Sequence, residues 1–187
     1  MTWLLIIFIL ALIIGPILVL IPSTRQKEQI AFRNEAKSRG ISVELCTIED
    51  PNPDPDSYLS ATGKRLDPVI KCIAYRISRK RPLHWRRVAR ISWKLVQTQD
   101  ARLADLPAGW KWHEPSNELA EVLRQALARE LNRLPDDVIA VDESNYFVSV
   151  YWREKGGSDA LEGVCSFLEQ LALVDSEGDD SEGDVTL

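Results

Sequence analysis

Val138-Ile139-Ala140-Val141 and Tyr146-Phe147-Val148-Ser149-Val150-Tyr151-Trp152 are two short runs rich in β-branched and aromatic residues, joined around Asp142-Glu143-Ser144-Asn145. Such residues suit a pleated, half-buried surface, so the runs read as two short strands. Helical spacing flanks them on both sides. Upstream, Leu119, Val122, Leu123, Ala126, Leu127, Leu131 and Leu134 predict a helix that opens at Ser116 or Asn117 and is stopped by Pro135. Downstream, Gly156-Gly157 breaks the chain. Leu161, Val164, Cys165, Leu168 and Leu171 then mark one face of a second amphipathic helix over residues 158–174.

Toward the N-terminus, Ile41, Val43 and Leu45 alternate with Ser42, Glu44 and Cys46, the pattern of a half-buried strand. Residues 69–78 and 85–97 are two further strand candidates, with residues 79–84 as the hairpin tip between them. Residues 49–63 form a Pro/Asp loop, since Pro51, Pro53 and Pro55 support neither a ladder nor a helix. Residues 100–115 read as irregular, and Asp136-Asp137 and Asp142-Glu143 as solvated turns. The order β-β-β-α-β-β-α, without strict β-α-β alternation, predicts an α+β fold, a two-layer domain with a mainly antiparallel sheet over residues 41–174.

The start of the chain has a different character. Residues 3–21 are nineteen positions without a charge or a strongly polar side chain. As a helix they would span roughly 29 Å, close to the hydrocarbon thickness of a bilayer. Residues 1–22 are therefore expected to be a single transmembrane anchor, bent at Gly15-Pro16. Ser23 and Gln26 form a capping box that opens a basic juxtamembrane helix over residues 23–40, closed by Gly40. Arg25, Lys27, Arg33, Lys37 and Arg39 all follow the span and no basic residue precedes it. The positive-inside tendency then implies a single-pass protein of the bacterial inner membrane, with the N-terminus outside and a cytoplasmic C-terminal domain. Membrane lipid is the first expected partner, and a reducing cytoplasm suits three unpaired cysteines.

Charge is unevenly distributed. Residues 24–102 carry a net +8 and residues 103–187 a net −13, giving −5 over the chain. Residues 175–187 are an acidic tail expected to be disordered. Arg79, Lys80, Arg81, Arg86, Arg87 and Arg90 fall in one acid-free stretch with His84 and Trp85. Four readings stand side by side: a solvated hairpin, contact with anionic lipid headgroups, contact with a protein partner, and contact with nucleic acid. Lipid contact draws on basic groups near an anionic surface and on an interfacial tryptophan. Nucleic acid ranks low, because no recognition motif accompanies the basic run and the distal half is acidic. Trp110 and Trp112, two apart, are either a partner contact or a loop anchor.

At 187 residues, with 45% hydrophobic and 27% charged, the chain has the balance of a folded protein. Three cysteines exclude a small disulfide scaffold. Cys46, Cys72 and Cys165 show no Cys-x-x-Cys spacing, and His84 and His113 fall in no ligand pattern, so no metal is expected. Ala61-Thr62-Gly63-Lys64-Arg65 lacks both the leading glycine and the trailing hydroxyl of a phosphate loop. No nucleophile motif and no cofactor fingerprint is present, and Cys165 reads as a small core residue.

The first forty residues resemble YajC, an accessory subunit of bacterial Sec translocases. The shared pattern is an uncharged span, a proline corner and a basic, Gln/Lys-rich helix: Ile21-Pro22-Ser23-Thr24-Arg25-Gln26-Lys27-Glu28-Gln29. The resemblance implies a single-span protein with a small cytoplasmic domain that works beside a translocase. It covers about a fifth of the chain, and the family's cytoplasmic domain is shorter and basic. The expectation drawn from the sequence is a membrane-anchored, non-enzymatic interaction module or accessory subunit of a membrane complex. Its alternatives are a Sec accessory subunit and an enzyme without a local motif.

Overall fold

The computed structural model describes residues 2–3, 6–8, 10, 12, 23–80, 92–98, 105–114 and 119–174. Its elements in chain order are α1 (Thr24–Ser38), β1 (Ser42–Glu49), β2 (Val69–Ser78), β3 (Trp93–Gln97), β4 (Trp110–Glu114), α2 (Glu121–Glu130), a 3-10 turn (Leu131–Arg133), β5 (Val138–Ser144), β6 (Phe147–Trp152) and α3 (Ser158–Leu173). The chain divides into two units, residues 1–34 and 35–187.

In the first unit, residues 2–3, 6–8, 10 and 12 are helical, and α1 opens on the capping box. Ser23 N–H donates to Gln26 Oε1 at 2.9 Å and Gln26 N–H to Ser23 Oγ at 3.3 Å, each side chain answering the other's free backbone donor. The membrane expectation is corrected here. Among the described residues no helix is long and apolar enough to cross a membrane. The long helices are α1 and α3, at 15 and 16 residues. Sixteen residues rise only about 24 Å, and α1 carries Arg25, Lys27, Glu28, Arg33, Glu35 and Lys37. The anchor over residues 1–22, the single-pass inner-membrane location and the lipid partner held through a span therefore lack support.

The second unit begins in the last turn of α1. Gly40, at φ +80°, donates its N–H to the Lys37 carbonyl and Ile41 to that of Ala36, a left-handed cap closed over buried Ala36 and Ile41. Arg39 pairs with Glu35 at 2.9 Å and with Glu162 of α3 at 2.6 Å.

The six strands of the described residues join one sheet in the order β1-β2-β6-β5-β3-β4, and every pairing is antiparallel. The sequence suggested five strands. The sixth is β4, inside the stretch read as irregular. Gly109 at φ +89° and the Thr98 N–H to Gly109 carbonyl bond fold β4 back on β3. The strand expected over 85–97 is described only from Trp93. The helix expected from Ser116 is described from Glu121, and its last turn tightens to 3-10.

Strand alternation sorts the side chains into two faces. Tyr75, Val148, Val150, Trp152, Val141, Leu95 and Trp93 share one face and are all buried. It meets α3, whose Leu161, Val164, Cys165, Leu168 and Leu171 are buried. Tyr75 and Trp152 contact at 5.6 Å between ring centroids. Cys72, Ala74, Val96, Ile139, Ala140 and Tyr151 form a separate cluster on the other face, the open face, with Cys46, Ile48 and Ile70 packed against it. Asn145 and Tyr146, at φ 54° and 65°, make the two-residue turn of the β5–β6 hairpin.

Candidate functional site

Register on the open face lines up one polar rung. Ser42 faces Arg76, Arg76 faces Ser149, Ser149 faces Asp142 and Asp142 faces Lys94, five consecutive strands contributing one residue each. Directly opposed side chains on one face interact, so the placing of Asp142 opposite Lys94 is favourable. The next rung reads Glu44, Ala74, Tyr151, Ala140 and Val96. Tyr151 thus stands between two alanines, and its hydroxyl reaches diagonally to Asp142 Oδ2 at 2.7 Å. Arg76 Nη1 donates to Glu44 Oε2 at 3.0 Å.

These rungs border a cleft of about 540 Å³ lined by Ser42, Arg76, Asp142, Phe147, Ser149 and Tyr151, beside the hairpin tip. Burial pushes the Asp142 carboxyl above the usual aspartate range, opposed by the hydroxyls of Tyr151 and Ser149 and by the charges of Lys94 and Arg76. Burial also raises the Tyr151 phenol, reinforced by the Asp142 charge. Both groups are thereby held toward their protonated forms. Two polar atoms here, Arg76 Nε and Asp142 Oδ1, are shut off from solvent without a hydrogen-bond partner among the described residues.

A second cleft, about 610 Å³, lies at the opposite end of the strands, between the Pro/Asp loop and residues 136–139. Its polar groups are largely answered within the chain. Tyr58 donates to Asp50 Oδ2 at 2.5 Å, Asn52 Nδ2 to the Gln97 carbonyl at 3.0 Å, and Lys155 N–H to Asp137 Oδ2 at 2.6 Å. It is a seam that fastens the loop.

The residues singled out from sequence fall elsewhere. Arg79 is buried on the helix face, its Nε 2.7 Å from Glu143 Oε1 and its Nη1 donating to the Val174 carbonyl. That placement corrects its assignment to a charged surface. The β2 register carries it under the C-terminal end of α3. Lys80 is exposed. Arg81, Trp85, Arg86, Arg87 and Arg90 lie outside the described residues, as does the acidic tail. Trp110 is buried, and half-buried Trp112 meets Trp93 edge-on at 6.4 Å, its indole N–H directed at Asp105. Both tryptophans pack against the chain itself. Asp142 and Glu143 belong to β5, not to a solvated turn. Among the described residues no group of three or more His, Cys, Asp or Glu could hold a metal ion.

No family model matches the chain, and no curated protein matches it. Among solved structures, the crystal structure of the mycobacterial trehalose monomycolate transport factor A, TtfA, is similar at 10% identity over 75% of this chain and 90% of that chain, with a TM-score of 0.35. That protein is not YajC-like, and at this score the likeness carries nothing about site or partner.

Proposed function

We propose that this chain is a non-enzymatic interaction module, an accessory subunit that holds a polypeptide segment of a partner protein in the open-face cleft beside the β5–β6 hairpin. One observation carries the reading. Arg76 Nε is a donor and Asp142 Oδ1 an acceptor, both buried and both without a partner among the described residues. Leaving such groups unanswered costs about 1–3 kcal/mol each, which a suitable ligand recovers. A simple anion would answer Arg76 and leave Asp142 unmet, and a simple cation the reverse. A peptide group, or an Asn or Gln side chain, accepts on one side and donates on the other.

A photo-crosslinking residue at Ser144 or Asn145 tests this, with exposed Gln170 of α3 as control. The expected result is one protein captured from the cleft positions and not from Gln170. Arg76→Met should weaken capture by about tenfold, equivalent to about 1.4 kcal/mol and in the range of a hydrogen bond to a charged group. Capture that is equal from all three positions, or indifferent to Arg76→Met, would overturn the reading.

A further inference from the structure

Cys46 and Cys72 are direct partners across β1 and β2, on the open face. Their sulfurs are in contact, Sγ to Sγ 3.3 Å, and neither is bonded to another cysteine. Opposed Cα atoms in an antiparallel pair stand about 4.5–5.5 Å apart, inside the roughly 4.4–6.8 Å that a disulfide bridges. A bond of about 2.05 Å therefore needs side-chain rotation and no movement of either strand. Cys165 lies on the α3 face, fully buried, and takes no part.

We infer that Cys46 and Cys72 form an oxidisable dithiol site whose co-substrate is a small disulfide of the glutathione class. The two thiols are not equivalent. Cys46 is half-buried and Cys72 buried, so an external disulfide meets Cys46 first. Burial pushes the Cys72 thiol up to about 12, assisted by its contact with Cys46 and opposed by Arg153, which keeps it protonated until the second step.

In the first step the Cys46 thiolate attacks one sulfur of the external disulfide. A mixed disulfide forms at Cys46 and one external thiolate leaves. Cys72 sulfur then attacks Cys46 Sγ, its proton passing to the second external thiolate as that group departs. Two protein thiols are oxidised and one external disulfide is reduced to two thiols. The bond locks edge strand β1 to β2 two rungs from the Ser42–Arg76 pair, fixing a register whose slip by one residue would turn every β1 side chain to the other face.

The test incubates the full chain with oxidised glutathione, blocks remaining thiols under denaturing conditions, and maps the peptides. One intramolecular link between Cys46 and Cys72 is expected, with two hydrogens lost and Cys165 still alkylated. The oxidised chain should melt higher, and a reductant should reverse this. Cys72→Ser should stop at a glutathione adduct on Cys46, and Cys46→Ser should take up little glutathione. Wild-type chain that keeps three free thiols, or that accumulates the Cys46 adduct without closing the bond, would overturn the inference. Mapping of the wild type decides this even if neither variant folds.

Discussion

Arg79 Nε stands 2.7 Å from Glu143 Oε1, with both side chains at 4% exposure or less. Glu143 Oε2 also accepts the Trp93 indole N–H at 2.9 Å, so β3, β5 and the residue that follows β2 meet at one carboxylate. Removing one member of a buried pair strands the other charge and costs about 3–5 kcal/mol. Arg79→Met is expected to lose that much. Arg79→Met with Glu143→Leu should lose less than Arg79→Met alone, limited by the Trp93 donor it leaves unmet, about 1–3 kcal/mol. Urea unfolding of the single and double variants measures this, and additive losses would exclude a coupled pair.

Asp142 sets a pH dependence of defined sign. Its folded-state pKa is raised, chiefly by burial, so the native chain takes up a proton more readily than the unfolded chain. The stability contributed by the protonated form is present in full below the unfolded aspartate value, near pH ~3.9, and is lost as pH rises through the folded value. Asp142→Asn keeps an acceptor for Tyr151 and removes the buried charge. The variant should be at least as stable as wild type at neutral pH, and its advantage should shrink on acidification. Chemical unfolding across that pH range is the measurement. A variant less stable at pH 7 and equal at low pH would reverse the assignment.

Tyr151→Phe removes the hydroxyl that holds Asp142 down. Carbon NMR titration of the Asp142 carboxyl should show its pKa rising further in the variant. Stability should fall by about 1.5–3 kcal/mol, the range for a hydrogen bond to a charged group. An unchanged Asp142 titration would mean that the hydroxyl bond is not formed in solution.

Gly163 lies in the middle of α3, where glycine normally costs about 1 kcal/mol against alanine. Here a methyl group would stand 2.7 Å from the Arg133 carbonyl oxygen, where the 3-10 turn crosses the helix. Gly163→Ala should therefore destabilise, by the roughly 1–3 kcal/mol of an overpacked contact. Gln170→Ala on the exposed side of α3 should stay within about 0.5 kcal/mol. Thermal melts compare the two, and a stabilised Gly163→Ala would show that the helix can shift away.

Local signals were legible in the sequence. Ser23 with Gln26, Gly40 and the 69–78 strand each depend on neighbours within a few residues, so pattern alone places them. Trp110-Lys111-Trp112-His113-Glu114 carries the same period-two signal, but Pro107-Ala108-Gly109 before it suggested a loop. The site was not legible. Arg76 and Asp142 are 66 positions apart and meet across Ser149 only through sheet order. The available trace was modest: a serine amid Phe147-Val148-Ser149-Val150 and an arginine in Tyr75-Arg76-Ile77 mark polar positions on otherwise apolar strands. Arg79 misled because a basic run suggests a wet surface, and a long-range carboxylate drew this member inward. The apolar run over residues 3–21 spoke only of transfer from water. The described helices, charged or too short, do not realise the span it suggested.

The order of strands in the sheet has a consequence for synthesis. β6 is a central strand, yet among the described strands it is the last one made, and β2 waits for it from Ser78 until Trp152 has emerged. At ribosomal rates of about 5–20 residues per second that interval is roughly 4–15 s. During it, β1 and β2 can pair with each other and bring the two thiols together, while the inner edge of β2 has no neighbour and the cleft does not exist. Nascent chains halted at residue 137 should be cut readily by protease, and chains released past Trp152 should resist it. The thiol pair can thus form before the sheet that houses it, by several seconds in the life of each molecule.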